Sequence, residues 1–513
     1  MASESIPPAN HTTTWLSGPL PDWLLGAGAG YLLTVPLLWF SGGAIGVQWP
    51  FAVAWVVAIA INGPHYGATL LRVYERRDER RRYAFFSLWV TLVLLGVFLT
   101  GVYSAIVGSL LVTLYFTWSP WHFAGQNYGV ALLFLRRSGV DVTPAAKRLL
   151  YTSFVLSFGL AFLAFHVEGS THTQAPLRTS LAGVYDLVRL GIPVGVGGSL
   201  MVLLGVAYVG SLLGTFALLW RQASLRALGL VASLAACQAL WFVVPSLLDL
   251  SGGGGRRFLA FSAVWISAAH SLQYLWVTHH YAVQNDASTR LPSYLLRTTL
   301  VGNAAIAVPA ILLAPDVLRA TSWDAGLGML IFAVVNLHHF ILDGAVWKLR
   351  DGRVARLLLR DEELVRPSGA RTSRGWIAFW AACGVVVSVE VAELIRHEAE
   401  RRGAYAVAGR TLDAISALGR DHERARLRLG RGLLESGDFE AARRQFERSL
   451  AAQETVAGFG GLGRALEGEG DLKGAIRAYE AGRRIDPEDR ELRRSIGRLR
   501  VVLRRRATAT SRP

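Results

Sequence analysis

Four apolar stretches of this chain carry histidine at positions where hydrocarbon would otherwise surround the side chain. In one of them, Asn336, His339 and Asp343 share a helical stripe, and His338 lies about a quarter-turn away. Ionisable groups at membrane depth are costly, so they normally face a protein interior and are paired or ligated. Four segments with this feature predict one shared site, and the other three segments carry His65, His122 and His270.

These histidines are predicted to bind a single metal ion. Imidazole nitrogen suits Fe, Zn, Cu or Ni. Iron, with its oxygen chemistry, is the expected metal for a histidine-rich site in a lipid-facing protein, and Asp343 is predicted to act beside it as a base. For any one histidine, the alternative is a hydrogen bond between two helices. The predicted ligands are His65, His122, His270 and His339, with His338 and His280 as alternates.

The intramembrane imidazoles have polar neighbours within about one helical turn in the sequence. Metal-bound histidines usually need such partners for the second ring nitrogen. The predicted partners are Asn62, Gln126, Gln273, Tyr274 and Asn336. Trp118, Trp121 and Trp347 are interpreted as aromatic residues of the membrane interface.

The composition predicts that the site belongs to an all-α membrane protein. The chain has 513 residues, 52% of them hydrophobic, and a mean hydropathy of +0.35. A soluble protein of this length would not repeat apolar runs of about 20 residues so often. The two cysteines lie in apolar runs, which argues against a disulfide framework. About eleven spans are predicted, near 23–41, 50–71, 84–101, 103–121, 149–166, 192–220, 227–245, 258–280, 294–314, 325–347 and 375–394, and residues 103–135 are compatible with one span or a broken pair.

The spans form a predicted transmembrane helical bundle over residues 23–394, between a polar segment at 1–22 and a polar tail. Most of the loop arginines and lysines gather in the loops at 72–83, 136–148, 221–226, 281–293 and 348–374. The positive-inside rule therefore predicts that these loops are cytoplasmic in a bacterial inner membrane. With eleven spans, the tail emerges on the outer side. The net charge is +16; its share in the membrane part is interpreted as a topology signal, its share in the tail as a solvated basic surface near anionic lipid, and no nucleic-acid partner is expected.

The tail contains an internal repeat. Its pattern resembles the tetratricopeptide repeat, a helix–turn–helix unit that stacks on its neighbours in an α-solenoid. The resemblance implies repeats with a capping helix over 395–506 and a surface that binds a protein partner. Residues 507–513 are predicted to be disordered. The first copy is Leu429-Gly430, Leu433, Gly437-Asp438, Ala442 and Phe446, and the copy 33 residues later is Leu462-Gly463, Leu466, Gly470-Asp471, Ala475 and Tyr479.

Scattered motifs of the bundle resemble a bacterial family of polytopic, histidine-rich membrane proteins, which supplies no reaction. They are Pro64-His65, Trp121-His122, Gln273-Tyr274, His338-His339 and Asp343-Gly344. Histidines drawn from separate spans are also loosely similar to those of membrane β-carotene dioxygenases, in which they hold a single iron. The membrane desaturases and hydroxylases are a poorer match, because their HxxxH and HxxHH boxes are absent here.

The leading hypothesis is a histidine-ligated, iron-dependent membrane oxidoreductase acting on a lipid-soluble substrate such as an acyl chain, isoprenoid, carotenoid or quinone. The first alternative is a non-catalytic scaffold that recruits partners through the tail. A transporter or a haem or metal conduit is the second. The third is a polyprenyl-sugar glycosyltransferase, a class that also combines spans with tail repeats. Such enzymes carry acidic residues in the first outer loop, whereas residues 41–48 contain none.

Overall fold

The protein is helical in a computed structural model that describes residues 14–40, 56–75, 77–168, 185–250, 255–312, 326–347, 352–359, 374–417 and 423–510. Within these ranges no β-strand forms, and one isolated bridge pairs Val167 with Ile192. The all-α prediction is therefore confirmed for the described residues. The first outer loop, on which the glycosyltransferase alternative depends, lies outside them.

Two compact units divide the chain. The first comprises Met1–Ile306 and Met329–Val385, and the second comprises Ala307–Gly328 and Val386–Pro513. The helices up to the end of the predicted bundle are α1 Ala29–Phe40, α2 Gly63–Tyr74, α3 Thr91–Tyr103, α4 Ala105–Arg137, α5 Pro144–His166, α6 Val194–Leu219, α7 Leu225–Gln238, α8 Gly255–Asn285, α9 Leu291–Leu312, α10 Leu327–Val346, α11 Gly352–Leu359 and α12 Arg374–Arg401. Shorter segments are Pro19–Pro21, Arg77–Arg82 and Val244–Leu250, with π-helical turns at Asp22–Gly26, Ala58–Asn62, Phe85–Val90 and Ala239–Val243.

Several of these helices are long and apolar enough to cross a bilayer. Six qualify among the described residues, over Phe85–Tyr103, Pro144–His166, Val194–Leu219, Leu225–Leu248, Leu327–Val346 and Ile377–Arg401. Their outer faces carry large apolar side chains, such as Leu203 and Val206 at 63% and 68% exposure. Such an extended apolar exterior is typical of a surface that faces lipid. The chain is therefore a membrane protein, and the count of eleven spans stays a prediction.

Two helices that carry candidate ligands, α4 with His122 and α8 with His270, are long but do not belong to those six. The sequence of residues 103–135 was compatible with one span or with a broken pair of helices. In the structure these residues lie almost entirely in α4, a single helix of 33 residues that continues through Pro120. Ser104 caps its N-terminus by accepting a hydrogen bond from the Val107 amide. Helix α8 has 31 residues. Polar residues near His122 and His270 lower the mean hydropathy of both helices, which explains why composition alone does not select them.

The second unit contains paired helices whose turns repeat. The helices are α13 Tyr405–Ala417, α14 Glu423–Glu435, α15 Phe439–Ala452, α16 Val456–Gly468, α17 Leu472–Ile485 and α18 Arg490–Thr510. Gly437 and Gly470 precede α15 and α17 with φ of 81° and 86°, a conformation that favours glycine. The next residues, Asp438 and Asp471, cap these helices through their side chains. The 33-residue recurrence thus corresponds to two successive helical hairpins.

Phe446 joins the two hairpins. Its side chain is fully buried, and its ring packs where Gly430 and Gly461 leave no room for a Cβ atom. We expect Phe446→Ala to destabilise the tail by about 3–5 kcal/mol, because it removes a buried aromatic ring and leaves a cavity. Hydrogen exchange of peptides from α14 to α17 in the intact protein measures this effect. The control is Val501→Ala in α18, where the side chain is 49% exposed, and equal protection of both variants would contradict the prediction.

Candidate metal centre

One histidine from each of four helices meets the others inside the first unit. His65 lies on α2, His122 on α4, His270 on α8 and His339 on α10. The candidate ligand atoms of these side chains all lie within 4.8 Å of one another. The ring centroids of His65 and His339 are 4.2 Å apart, and those of His122 and His270 are 5.0 Å apart. The structure therefore brings together the four histidines predicted to share a site, and they form a group that could hold a metal ion.

Most of the ring nitrogens of this histidine group lack a hydrogen-bond partner. Five of them are buried with no partner among the described residues: Nδ1 of His65, Nε2 of His122, both nitrogens of His270, and Nε2 of His339. A buried polar atom left unsatisfied costs about 1–3 kcal/mol. Native proteins rarely accept this cost repeatedly in one place. A metal cation is the ligand that would satisfy several imidazole lone pairs at once.

Thr69 orients His339. Its hydroxyl donates to Oδ1 of Asp343 at 2.9 Å and lies 2.9 Å from Nδ1 of His339. Because the hydroxyl has a single proton, its oxygen accepts a hydrogen bond from Nδ1–H of His339. Nε2 of His339 then carries a lone pair, which is the tautomer that a metal requires when Nδ1 is held by a hydrogen bond.

Asp343 presents one oxygen to the histidine group. Tyr274 donates from its hydroxyl to Oδ1 of Asp343 at 2.6 Å, beside the bond from Thr69. The other oxygen, Oδ2, lies 3.3 Å from Nε2 of His339 and 3.9 Å from Nε2 of His122. The two hydroxyl donors thus fix the carboxylate so that Oδ2 can contact a bound ion or exchange a proton beside it.

The predicted amide partners bind elsewhere. Gln126 donates to the backbone carbonyl of His270 at 3.0 Å and to Oε1 of Gln273 at 2.6 Å, and Gln273 donates to the Gly26 carbonyl at 2.8 Å. Asn62 accepts from Ser271 at 2.9 Å, and Asn336 accepts from Tyr66 at 3.0 Å. These amides hold helices together and do not contact an imidazole nitrogen. The expectation that these amides hold the second ring nitrogens therefore needs correction, because the hydroxyl beside Nδ1 of His339, that of Thr69, comes from a different helix.

The alternates His338 and His280 are not part of the histidine group. Nε2 of His338 lies 2.8 Å from the Thr91 hydroxyl and 3.3 Å from that of Tyr74, because the next position on α10 points about 100° away from His339. His280 follows His270 by ten residues on α8, about 15 Å further along the helix axis.

Two further side chains support the site in ways that the sequence interpretation missed. Trp347, interpreted as an interfacial aromatic, donates from Nε1 to the Tyr274 hydroxyl at 2.9 Å. The Arg72 guanidinium lies over the Trp347 ring, 4.2 Å from its centroid, and donates to the Val346 carbonyl at 3.1 Å. Tyr274 and Asp343 are the members of this network that the sequence predicted.

A cavity of about 340 Å³ adjoins the histidine group. His122, Asp343 and Tyr274 form its polar end, and Gln126 adds one amide. The rest of the wall is aromatic and aliphatic, as in most pockets that bind small organic molecules. Its apolar lining consists of Trp118, Trp121, Val130, Leu133, Val277, Phe340, Trp347 and Leu358, together with three glycines.

Comparisons with models of protein families, with curated proteins and with solved structures find no match to this chain. The resemblances based on scattered motifs therefore remain predictions. The chemistry of the site is argued from the side chains alone.

Thr69→Val tests the orienting role of the hydroxyl. We expect metal affinity to fall about 10- to 100-fold, the usual effect of removing a hydrogen-bond partner from a metal-bound histidine. Competition with a chelator measures the change in dissociation constant. Thr91→Val is the matched control, because the Thr91 hydroxyl contacts His338 instead. Equal affinities of the two variants would contradict the assigned role of Thr69.

Proposed function

We propose that the chain is a membrane metalloenzyme in which four histidines hold iron and the adjoining cavity binds a lipid-soluble substrate for oxidation. The observation that carries the proposal is the set of five buried, unpartnered ring nitrogens contributed by four helices. Bound iron would supply one-electron and oxygen chemistry. His65, His122, His270 and His339 would be its ligands.

The neighbouring residues have separate roles in this proposal. Asp343 would accept or return a proton through Oδ2, since Oδ1 is already held by Thr69 and Tyr274. The apolar cavity walls would orient the substrate and exclude water. Zinc hydrolysis would also place a carboxylate beside an open position. We favour oxidation because the cavity is lined chiefly by apolar side chains. The proposed use of iron is similar to that of the membrane β-carotene dioxygenases.

For the tail we propose a tetratricopeptide-type solenoid that binds a protein partner. Support comes from the hairpins that repeat with a glycine turn and an aspartate cap, and from Phe446 packed between Gly430 and Gly461. Repeats of this type stack into extended binding surfaces. A scaffold that binds partners through this tail, without catalysis, is the competing function.

The metal content of purified variants tests the centre. We expect stoichiometric iron in the wild-type protein and its loss in His65→Ala and His339→Ala, because each variant removes one ligand. His338→Ala is the control, since its ring bonds to Thr91 and lies outside the group. Elemental analysis of protein expressed in iron-containing medium gives the ratio.

Other outcomes of the same experiment select the alternatives. A metal-free wild-type protein that still binds a partner through its tail would support the scaffold. A Soret band would identify haem and redirect the proposal to electron transfer. Stoichiometric zinc in place of iron would favour hydrolysis.

We also propose an orientation in the bacterial inner membrane with the basic loops in the cytoplasm and the tail outside. The native cysteines Cys237 and Cys383 are buried, so single cysteines added at exposed positions report on sidedness. We expect Ala287→Cys, in a basic loop, to resist an impermeant maleimide in intact spheroplasts, and Ser436→Cys, in the tail, to react. Labelling of Ala287→Cys would contradict the orientation. Protection of Ser436→Cys alone would place the tail inside and imply an even number of spans.

A further inference from the structure

Helices α4 and α10 pack through aromatic side chains beside the histidine group. The Phe340 ring stacks on the His122 ring, with 4.2 Å between centroids. It also lies 6.2 Å from the Tyr115 ring and 6.4 Å from the Trp118 ring. Tyr115, Trp118 and His122 follow a helical stripe, so this stripe is the face that α4 turns toward Phe340.

On the side of His122 where the cavity lies, the facing surfaces of α4 and α10 carry three glycines in place of aromatic residues. Gly125 and Gly129 extend the stripe of α4, and Gly344 lies one turn after Phe340 on α10. All three line the cavity. A Cβ atom built on any of them would meet nothing within 4 Å. The aromatic packing between the two helices is thus replaced by open space.

This open space reaches the exterior of the protein. Gly125 and Gly344 are both exposed, and the neighbouring wall residue Trp121 is 38% exposed. Further along α4, Leu110 and Leu114 are 50% and 46% exposed. The opening therefore lies on a helix that presents apolar side chains to the surroundings, as a lipid-facing helix does.

The structure does not need glycine at these three positions for close packing. Gly67 and Gly302 provide the contrast, because a Cβ on either would collide with the backbone of the opposing helix. Glycine in a helix interior costs about 1 kcal/mol relative to alanine. At Gly125, Gly129 and Gly344, the feature that glycine provides is the space itself.

We propose that Gly125, Gly129 and Gly344 form a lateral entrance through which one uncharged hydrocarbon chain, acyl or isoprenoid, reaches the site from the lipid. The inference rests on the proposed function, since it names the route and substrate class of that same centre. The entrance lies at nearly the same depth along the helices as the residues of the centre. Gly125 is about 4.5 Å along α4 from His122, and Gly344 follows Asp343 directly. Among the described residues that line the cavity, Asp343 is the one acidic side chain, and none is a Lys or Arg that could pair with a charged headgroup.

A photoreactive probe tests the entrance in purified protein in lipid nanodiscs. The probe is hexadecanol carrying a diazirine near the end of its chain, and mass spectrometry reads its attachment to the peptide with Tyr274 and Val277 on the far wall. The variants are Gly125→Leu and Gly344→Leu. The matched control is Gly96→Leu on α3, where a Cβ also meets nothing within 4 Å among the described residues, and which is not among the residues that line this cavity.

We expect attachment to the far wall to fall at least about tenfold in the two entrance variants, the effect of losing burial of roughly two methylene groups. It should be unchanged in Gly96→Leu. Metal content, measured on the same samples, should stay at the wild-type value in all three. Gly125→Ala and Gly344→Ala, which fill less space and favour the helix, should give smaller decreases.

The possible results separate the two proposals. Undiminished attachment in Gly125→Leu and Gly344→Leu would overturn the lateral entrance, as would wild-type protein whose far wall is never labelled. Either result leaves the metal centre standing if iron is present. Wild-type protein without metal, but with attachment that the entrance variants block, would overturn the proposed function and retain the entrance.

Discussion

The burial of imidazole nitrogens that have no hydrogen-bond partner is the constraint on which the site depends. The candidate ligand atoms of the four rings lie within 4.8 Å of one another, and three of the four side chains are buried. When the imidazoles are neutral, the lone pairs of neighbouring rings repel one another. Protonation of several rings at once would place like charges about 4–5 Å apart in a low dielectric. A cation at the centre removes both problems, because each lone pair then points at positive charge. The same ion would tie four helices together, so folding and metal binding would be coupled.

The helices must approach closely for the rings to meet, and the backbone of α2 shows how this is achieved. Gly67 on α2 faces the Thr298 carbonyl of α9, and Gly302 on α9 faces the Gly63 carbonyl, so neither position has room for a Cβ atom. The π-helical turn at Ala58–Asn62 precedes this contact, and Asn303 of α9 donates to its Ile59 carbonyl at 3.0 Å. Backbone groups at membrane depth need such partners wherever the α-helical pattern is interrupted. The close approach therefore positions the turn of α2 that carries His65.

The sequence was sufficient to select the four histidines, because each lies in an apolar segment. An ionisable side chain at membrane depth is costly in free energy and is therefore normally functional. The sequence could not show that the four histidines converge, which depends on helix rotation and on tilt. The distinction between His338 and His339 is a rotation of about 100°, beyond the resolution of a hydropathy pattern. Partner assignment failed for the same reason: Thr69 reaches His339 from another helix, and Trp347 reaches Tyr274. The hairpins of the tail were easier to predict, since a turn glycine and a capping aspartate are local signals.

His338 shows within this chain how a membrane histidine is accommodated when it only joins helices. Its Nε2 lies 2.8 Å from a threonine hydroxyl, and α10 thereby contacts a neighbouring segment. If the four central histidines had the same role, comparable partners would satisfy their nitrogens too. Instead five of their ring nitrogens have no partner among the described residues, and α10 adds a carboxylate at Asp343 and an opening at Gly344 within one further turn. A ligand, a candidate base and a route to the exterior thus occupy adjacent turns of one helix. Helix packing alone does not require that arrangement, whereas the proposed chemistry on a hydrocarbon substrate would use all three features.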